Sequence, residues 1–294
     1  MPWAREKEIA VNLITQTKTL ARGVIENLPH GEALVDTYRR ENRVRQARQF
    51  LEAGRLYPEE REAILRDFKA ICLNTQLSIA GIINLETVAR ATIASGLEGA
   101  FVECGTWRGG SLGYWARSFM RNGGSTVHSS IFGLDSFQGM PRMTEKDGDS
   151  TAHWMHGKTM SDLAPELLNG ELEPTGLNVA TEQDCWAMLE GSGFPCEGVT
   201  LAKGWFQDTL PLVKGKIGKI AVLRLDGDFY ESTRVCIETL FDQVVAGGVV
   251  IVDDYGAFPG CKRAIDEFIA ERQLSERLLY VDSSVRYFYK GGPR

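Results

Sequence analysis

The stretch Leu223-Arg224-Leu225-Asp226-Gly227-Asp228-Phe229-Tyr230, answered further on by Val252-Asp253-Asp254-Tyr255, decides how this chain is read. In both, an apolar run ends in carboxylates, and a helix-length segment separates the two. As neighbouring parallel strands they deliver Asp226, Asp253 and Asp254 to the carboxyl edge of one sheet, where open α/β sheets bind ligands. Like charges held together cost free energy unless a cation or protons neutralise them. The cluster is therefore either an oxygen-ligand metal site or a place where protons are handled. The plainer alternatives are an ordinary strand-end turn for Asp253-Asp254 and, for Asp228 and Glu231, helix N-terminal charge favoured by the macrodipole.

Outward from this pair, strand and helix patterns alternate. Ala100–Val102, Ile131–Leu134, Val199–Leu201, Ile220–Leu225 and Val249–Val252 read as strands. Ser111–Met120, Glu231–Val245 and Cys261–Arg272 read as helices, and Leu278–Val281 with Val285–Tyr289 as a closing hairpin. The pattern predicts an α/β fold: a doubly wound, mostly parallel, seven-stranded Rossmann-like sheet over residues 96–294. Residues 1–95 read as a helical N-terminal region, with Leu85, Val88, Ala89 and Ile93 at helical spacing and Gly96 as a stop signal. The polar, aperiodic stretch from about 138 to 168 is long enough to be a lid.

Composition narrows the function. Of 294 residues, 43% are hydrophobic and 24% charged, with a formal net charge of −6; this suits a globular protein and argues against a nucleic-acid partner, which needs a basic field. Arg39, Arg40, Arg43, Arg45 and Arg48 are locally basic but share their segment with Asp36 and Glu41, as a solvated helix face would. The six cysteines form no C-x-x-C pair and have no histidine at ligand spacing, so zinc is not expected and the thiols are expected to be reduced, in a cytoplasmic protein. No apolar run approaches about 18 residues, so no membrane partner is expected. The N-terminal helices exceed what one sheet face needs for cover, and a homodimer through them is the expectation.

Between the first strand and its helix lies Glu103-Cys104-Gly105-Thr106-Trp107-Arg108-Gly109-Gly110-Ser111. Its glycines permit close approach of backbone to a ligand. It is neither G-x-G-x-x-G nor a phosphate-binding loop, and Glu103 would repel a pyrophosphate while suiting a cationic or zwitterionic ligand. Asp135, at the tip of the second strand, is placed to accept hydrogen bonds from a ribose diol. Strand-E-x-G-loop-helix followed by strand-Asp resembles the pattern of S-adenosylmethionine methyltransferases. A tight turn with an N-capping role is the plainer reading of the same glycines.

Five ordered segments resemble the TylF/macrocin O-methyltransferase family, which methylates sugar hydroxyls in antibiotic biosynthesis. They are Glu103–Ser111, Leu134-Asp135-Ser136-Phe137-Gln138-Gly139-Met140-Pro141, Lys203–Pro211, Leu225–Thr233 and Gly247–Gly256. The resemblance implies a transferase that uses S-adenosyl-L-methionine and magnesium, with Asp226, Asp253 and Asp254 around the metal and a glycosylated natural product as acceptor. It further implies a cofactor site built from Ser78, Glu103, Cys104, Gly105, Thr106, Trp107, Ser111, Asp135, Ser136, Trp205 and Asp226. Ser78 and Ile79 match the place where the family closes over the cofactor, and Trp205 would lie against adenine or serve as plain core. Methyl transfer needs the acceptor oxygen in line with the sulfonium methyl, and a sugar hydroxyl needs a base. Asp226 is the slightly favoured base and Asp228 the other; His153, His156 and Tyr255 are further acceptor-side candidates.

Three rivals remain at this point. A catechol or other phenol acceptor (pKa about 10) would need less activation and would favour a lysine base, but Phe229 and Tyr230 occupy the place for one. A nicotinamide oxidoreductase lacks its glycine fingerprint here. A cofactor-binding subunit without catalysis would have little use for three converging acids.

Overall fold

The computed structural model describes residues 31–127 and 129–291. The chain divides into two compact units, one up to Leu73 and one from Asn74. The division falls earlier than the expected change of grammar near residue 95, because the helix over 79–94 packs on the helix over 110–121 and so belongs to the second unit. Residues 1–30 of the expected helical region lie outside the described residues.

In the first unit, α1 (Gly31–Ala53) and α2 (Pro58–Ile71) are joined by a short turn. Pro58 opens α2, where its missing N–H costs nothing, and the Glu60 carboxylate accepts from the Tyr57 N–H. Arg48 pairs with Glu62 at 2.5 Å, and Arg43 stands over the Phe68 ring at 5.4 Å. The arginines of this segment thus belong to a helix pair, as their interleaved acids suggested.

The second unit begins with α3 (Ile79–Ala94), whose N-cap Ser78 accepts from the Gly81 N–H at 3.0 Å. Then follow β1 (Ala100–Cys104), α4 (Gly110–Arg121), β2 (Ile131–Asp135), α5 (Gly148–His156), α6 (Glu182–Leu189) and β3 (Val199–Lys203). The chain continues through α7 (Phe206–Ile217), β4 (Ile220–Leu225), α8 (Tyr230–Leu240), β5 (Val244–Val252), α9 (Pro259–Glu271), β6 (Leu279–Tyr280) and β7 (Arg286–Tyr289).

The seven strands lie in the order β3-β2-β1-β4-β5-β7-β6. Neighbours among the first five pair parallel, while β7 pairs antiparallel with β5 and with β6. The expected doubly wound sheet is thus present. Its direction of winding reverses between β1 and β4, and the crevice at their carboxyl ends is where such sheets hold ligands. Apolar side chains such as Val102, Leu134, Leu223, Ile237 and Val250 are all but fully buried around it.

Three boundaries differ from expectation. β5 starts at Val244, five residues before the Val249 start expected from the apolar run, and α8 ends at Leu240 in a 3-10 turn instead of running to Val245. Val244 and Val245 have the apolar character of helix and strand alike, and pairing with β4 settles the choice. α6 was not anticipated although Thr181 and Asp184 cap it reciprocally: the Asp184 carboxylate accepts from the Thr181 N–H at 2.9 Å and the Thr181 hydroxyl from the Asp184 N–H at 3.2 Å.

The segment 138–168 is folded, contrary to its aperiodic look. It carries α5 and three 3-10 turns, and Met140, Met143, Ala152 and Leu163 gather around Phe229 in a core of their own. Turns and 3-10 pieces place apolar residues irregularly, so no single period reveals them. Asp147, almost fully buried, ties this segment to the start of α8: Oδ1 accepts from the Tyr230 N–H and Oδ2 from the Thr144 N–H, each at 2.7 Å.

Candidate active site

The carboxyl ends of β1, β4 and β5 carry one connected set of charges. In register, Glu103 of β1 sits beside Arg224 of β4, and Leu225 sits beside Val252 of β5, so Asp226 and Asp253 leave the sheet side by side. The ladder extends one bond further on each: the Asp226 N–H donates to the Cys104 carbonyl (2.8 Å) and the Asp253 N–H to that of Leu225 (2.9 Å). Arg224 interrupts an apolar strand and is 2% exposed. Its Nη1 donates to Glu103 Oε1 and, at 2.7 Å, to Asp226 Oδ2. Its Nη2 lies 2.6 Å from Asp253 Oδ1, an ion-pair contact whose angle is too poor for a hydrogen bond.

Glu103 does not face a ligand. It is wholly buried beneath Arg224, its Oε2 lacks a hydrogen-bond partner, and burial pushes its carboxyl up to about 7 against the pull of the Arg224 guanidinium. Cys104 packs on the other face of β1 in the main core. Both were expected at the cofactor; Glu103 turns to Arg224 on one face of β1 and Cys104 into the core on the other, and neither lines the cavity.

The glycine loop forms one wall of an open cavity of about 270 Å³ at the switch point. Gly105 has φ +94, and a Cβ there would stand 1.7 Å from the Asp226 carbonyl oxygen, so loop and β4 end meet only because the residue is glycine. Asp135 Oδ2 accepts from the Trp107 N–H (2.8 Å) and Oδ1 from the Phe137 N–H (2.7 Å), which fixes the loop while the carboxylate still lines the cavity. Thr106, Trp107, Ser111, Ser136 and Trp205 join the lining. This wall, carboxylate-rich and free of basic residues apart from the committed Arg224, fits a sulfonium nucleoside with a ribose diol. Ser78 is not part of it. Its hydroxyl donates to Asp282, and the preceding residues Asn74–Leu77 line the cavity instead.

Opposite the loop, carboxylate oxygens of Asp226, Asp228 and Asp254 lie within 4.8 Å of one another. Gly227 and a left-handed Asp228 (φ +57) turn the chain back so that the second acid of the Asp-Gly-Asp sequence rejoins the first. The Asp228 N–H donates to Asp254 Oδ2 at 3.2 Å. Burial, then the neighbouring carboxylates, hold Asp228 and Asp254 well above the ordinary carboxylate range. Desolvated hard oxygens of one sign at this spacing suit a divalent cation such as magnesium. Asp253, the third residue expected at the metal, lies against Arg224 and still lines the cavity; Asp228 takes the near place in the cluster.

Two acceptor-side expectations change. Tyr255 donates its hydroxyl to Asp266 on α9 at 2.7 Å and is not among the cavity-lining residues. His153 and His156 on α5 are not among them either, whereas Trp154 between them is. The structure adds Arg224, Asn74–Leu77, Met140, Trp154 and Phe258, which the sequence did not single out as functional. Arg224 did carry a signal, an arginine inside the apolar run Ile220–Leu225.

The sequence pattern of the macrocin-O-methyltransferases (TylF) matches residues 74–290 of this chain, the whole sheet unit. The chain belongs to that family. It is an S-adenosylmethionine-dependent O-methyltransferase. Relatives include the 8-demethyl-8-(2,3-dimethoxy-alpha-L-rhamnosyl)-tetracenomycin-C 4'-O-methyltransferase of Streptomyces olivaceus, 32% identical over 74% of this chain and 76% of that one. Demethyldecarbamoylnovobiocin O-methyltransferase of Streptomyces niveus is 32% identical over 80% and 82%. Among solved structures, the O-methyltransferase NovP superposes with a TM-score of 0.60 at 27% identity, over 85% of this chain and 97% of that one. The calicheamicin methyltransferase CalS11 shares the fold, with a TM-score of 0.55 at 18% identity over 86% and 93%. In this family member the glycine loop and the acid cluster line one cavity at the β1–β4 crevice.

Proposed function

We propose that this methyltransferase acts on a hydroxyl of a deoxysugar within a glycosylated natural product of antibiotic or secondary metabolism, and that it requires magnesium. The observation that carries the reading is the acid cluster of Asp226, Asp228 and Asp254 opening into the same cavity as the glycine loop. The relative from Streptomyces olivaceus, whose name specifies a rhamnosyl acceptor, supports the sugar. No lysine lines the cavity among the described residues, which leaves the phenol-acceptor reading without its base.

Asp226 and Asp254 would hold the metal, with Asp253 beside them on Arg224. When bound, magnesium supplies Lewis acidity that lowers the pKa of the acceptor hydroxyl. Asp228 takes the proton: Arg224 ties up an oxygen of Asp226, while Asp228 has no arginine hydrogen bond and burial raises its carboxyl. Asp135 orients the cofactor ribose, and the packed segment 138–168 excludes water from the sulfonium. The enzyme works in the cytoplasm as a homodimer through its N-terminal helices, a reading supported by free cysteines and by exposed Phe50 and Tyr57 on the helix pair.

The test is isothermal titration with S-adenosylhomocysteine, with and without magnesium, followed by turnover of glycosylated acceptors. The expected result is product binding without metal, with methyl transfer stopped by EDTA and restored by magnesium. Full turnover in EDTA would remove the metal from the reading.

A further inference from the structure

The cavity has a second wall of different character. Met140, Pro141, Trp154, Leu172 and Phe258 line it, with no charged side chain among them. Trp154 is 54% exposed, which is unusual for the largest apolar side chain in a folded, capped helix. Its ring meets Phe258 edge-on at 5.7 Å and 89°, and Phe258 meets Phe229 at 6.4 Å and 65°. Both inner rings are tied to the acid cluster: Phe229 follows Asp228, and the Phe258 N–H donates to the Asp254 carbonyl at 2.9 Å. The three rings form a series leading from the carboxylates outward along one side of the cavity. Phe229 and Phe258 are held by the core of the 138–168 segment, and that segment is pinned to α8 through Asp147, so the wall is rigid.

We propose that Trp154, backed by Phe258, is a specificity subsite for a flat, apolar ring of the aglycone next to the methylated sugar. This rests on the glycoside reading above. With the reacting hydroxyl at Asp226, Asp228 and Asp254, the sugar spans the Phe258 step and its substituent reaches the indole. A sugar alone would leave hydroxyls facing a wall whose one hydrogen-bonding side-chain group is the Trp154 indole N–H, which is costly. An aromatic or polyketide ring instead covers indole surface now in water.

The test compares 2-naphthyl with methyl α-L-rhamnoside, acceptors differing only in the substituent assigned to this wall. The wild type is expected to show a KM about tenfold lower for the naphthyl compound, about what one aromatic stack supplies. Trp154→Ala should bring the ratio of the two KM values near one, and Trp154→Phe should keep most of it, with a melting curve confirming that each variant is folded. A ratio unchanged in Trp154→Ala overturns the subsite, as does the absence of any naphthyl preference in the wild type. Equilibrium binding of 2-naphthyl α-L-rhamnoside, with S-adenosylhomocysteine and magnesium present, separates the two readings. Binding that weakens about tenfold in Trp154→Ala without methyl transfer by the wild type refutes the sugar acceptor and supports the subsite; no binding, or binding indifferent to Trp154, overturns the subsite.

Discussion

Arg224→Met tests the charge arrangement on which the site depends. Methionine keeps much of the arginine's length and apolar stem but removes the one cation that faces Glu103, Asp226 and Asp253. Glu103 is 0% exposed and Arg224 2%, so this is a buried pair, and removing one partner of such a pair costs about 3–5 kcal/mol. For a unit of this size, each kcal/mol lowers Tm by about 2–4 °C, so the metal-free variant should melt roughly 6–20 °C below wild type. The cost arises from a stranded carboxylate, so Glu103→Gln combined with Arg224→Met should recover at least about 1 kcal/mol of it, as a coupled pair does. Magnesium should also raise the Tm of the single variant more than that of the wild type, because the acid cluster there has lost its resident cation. Scanning calorimetry of the three proteins, in EDTA and in excess magnesium, reads all three effects. A Tm within about 2 °C of wild type, or a double variant no more stable than the single, would refute the assigned role of Arg224.

Three further outcomes follow. Burial raises Glu103 to about 7 and lifts Asp253, Asp228 and Asp254 as well, so each contributes stability that is full below its unfolded pKa and lost as pH rises through its folded one. In EDTA the Tm should therefore rise as pH falls from about 8 towards about 6, and Glu103→Gln should flatten that slope; a Tm that falls over this range contradicts it. Asp228→Asn should lower kcat by about 10²–10⁴ with S-adenosylhomocysteine affinity retained, as loss of a general base does; kcat within a factor of about three returns the role to Asp226. Glu86 is 3% exposed, and though burial raises it, hydrogen bonds from Arg121, Ser118 and Arg90 bring its carboxyl to about 2. Glu86→Ala strands these partners at the α3–α4 contact and should cost about 3–5 kcal/mol in denaturant unfolding.

What the sequence disclosed about the site follows from where strand ends fall. Asp135, Asp226, Asp253 and Asp254 each close an apolar run, and a parallel sheet gathers such ends at one edge whatever the loops do. Arg224 escaped because its role depends on cross-strand register: only the pairing of Glu103 with Arg224 shows that the guanidinium is spent on three acids. The near place of Asp228 depends on one left-handed turn, which a sequence permits but does not dictate. Alternation within β1 could have separated Glu103 from Cys104, since they face opposite sides of the sheet. Trp154 and Phe258 lie far apart in the chain and meet only through the folded 138–168 segment, whose packing no periodicity announces.

The acids at the sheet edge form two layers with different tasks. Arg224 neutralises the inner one, Glu103 with Asp226 and Asp253, and so fixes the direction in which the β4 and β5 ends point. Asp228 and Asp254 form the outer layer, which no described arginine or lysine pairs with and which turns negative towards the cavity once its carboxylates ionise. A negative field there favours a sulfonium donor over the neutral thioether that remains after transfer, and so helps bind one and release the other. Taken alone the same field would oppose the reaction, because positive charge leaves the sulfur in the transition state. A divalent cation held by Asp226 and Asp254 would offset that field, leave Asp228 to take the proton, and supply the Lewis acidity that acidifies the acceptor. The proposed need for metal thus rests on the charge count at the sheet edge as well as on the spacing of the three carboxylates.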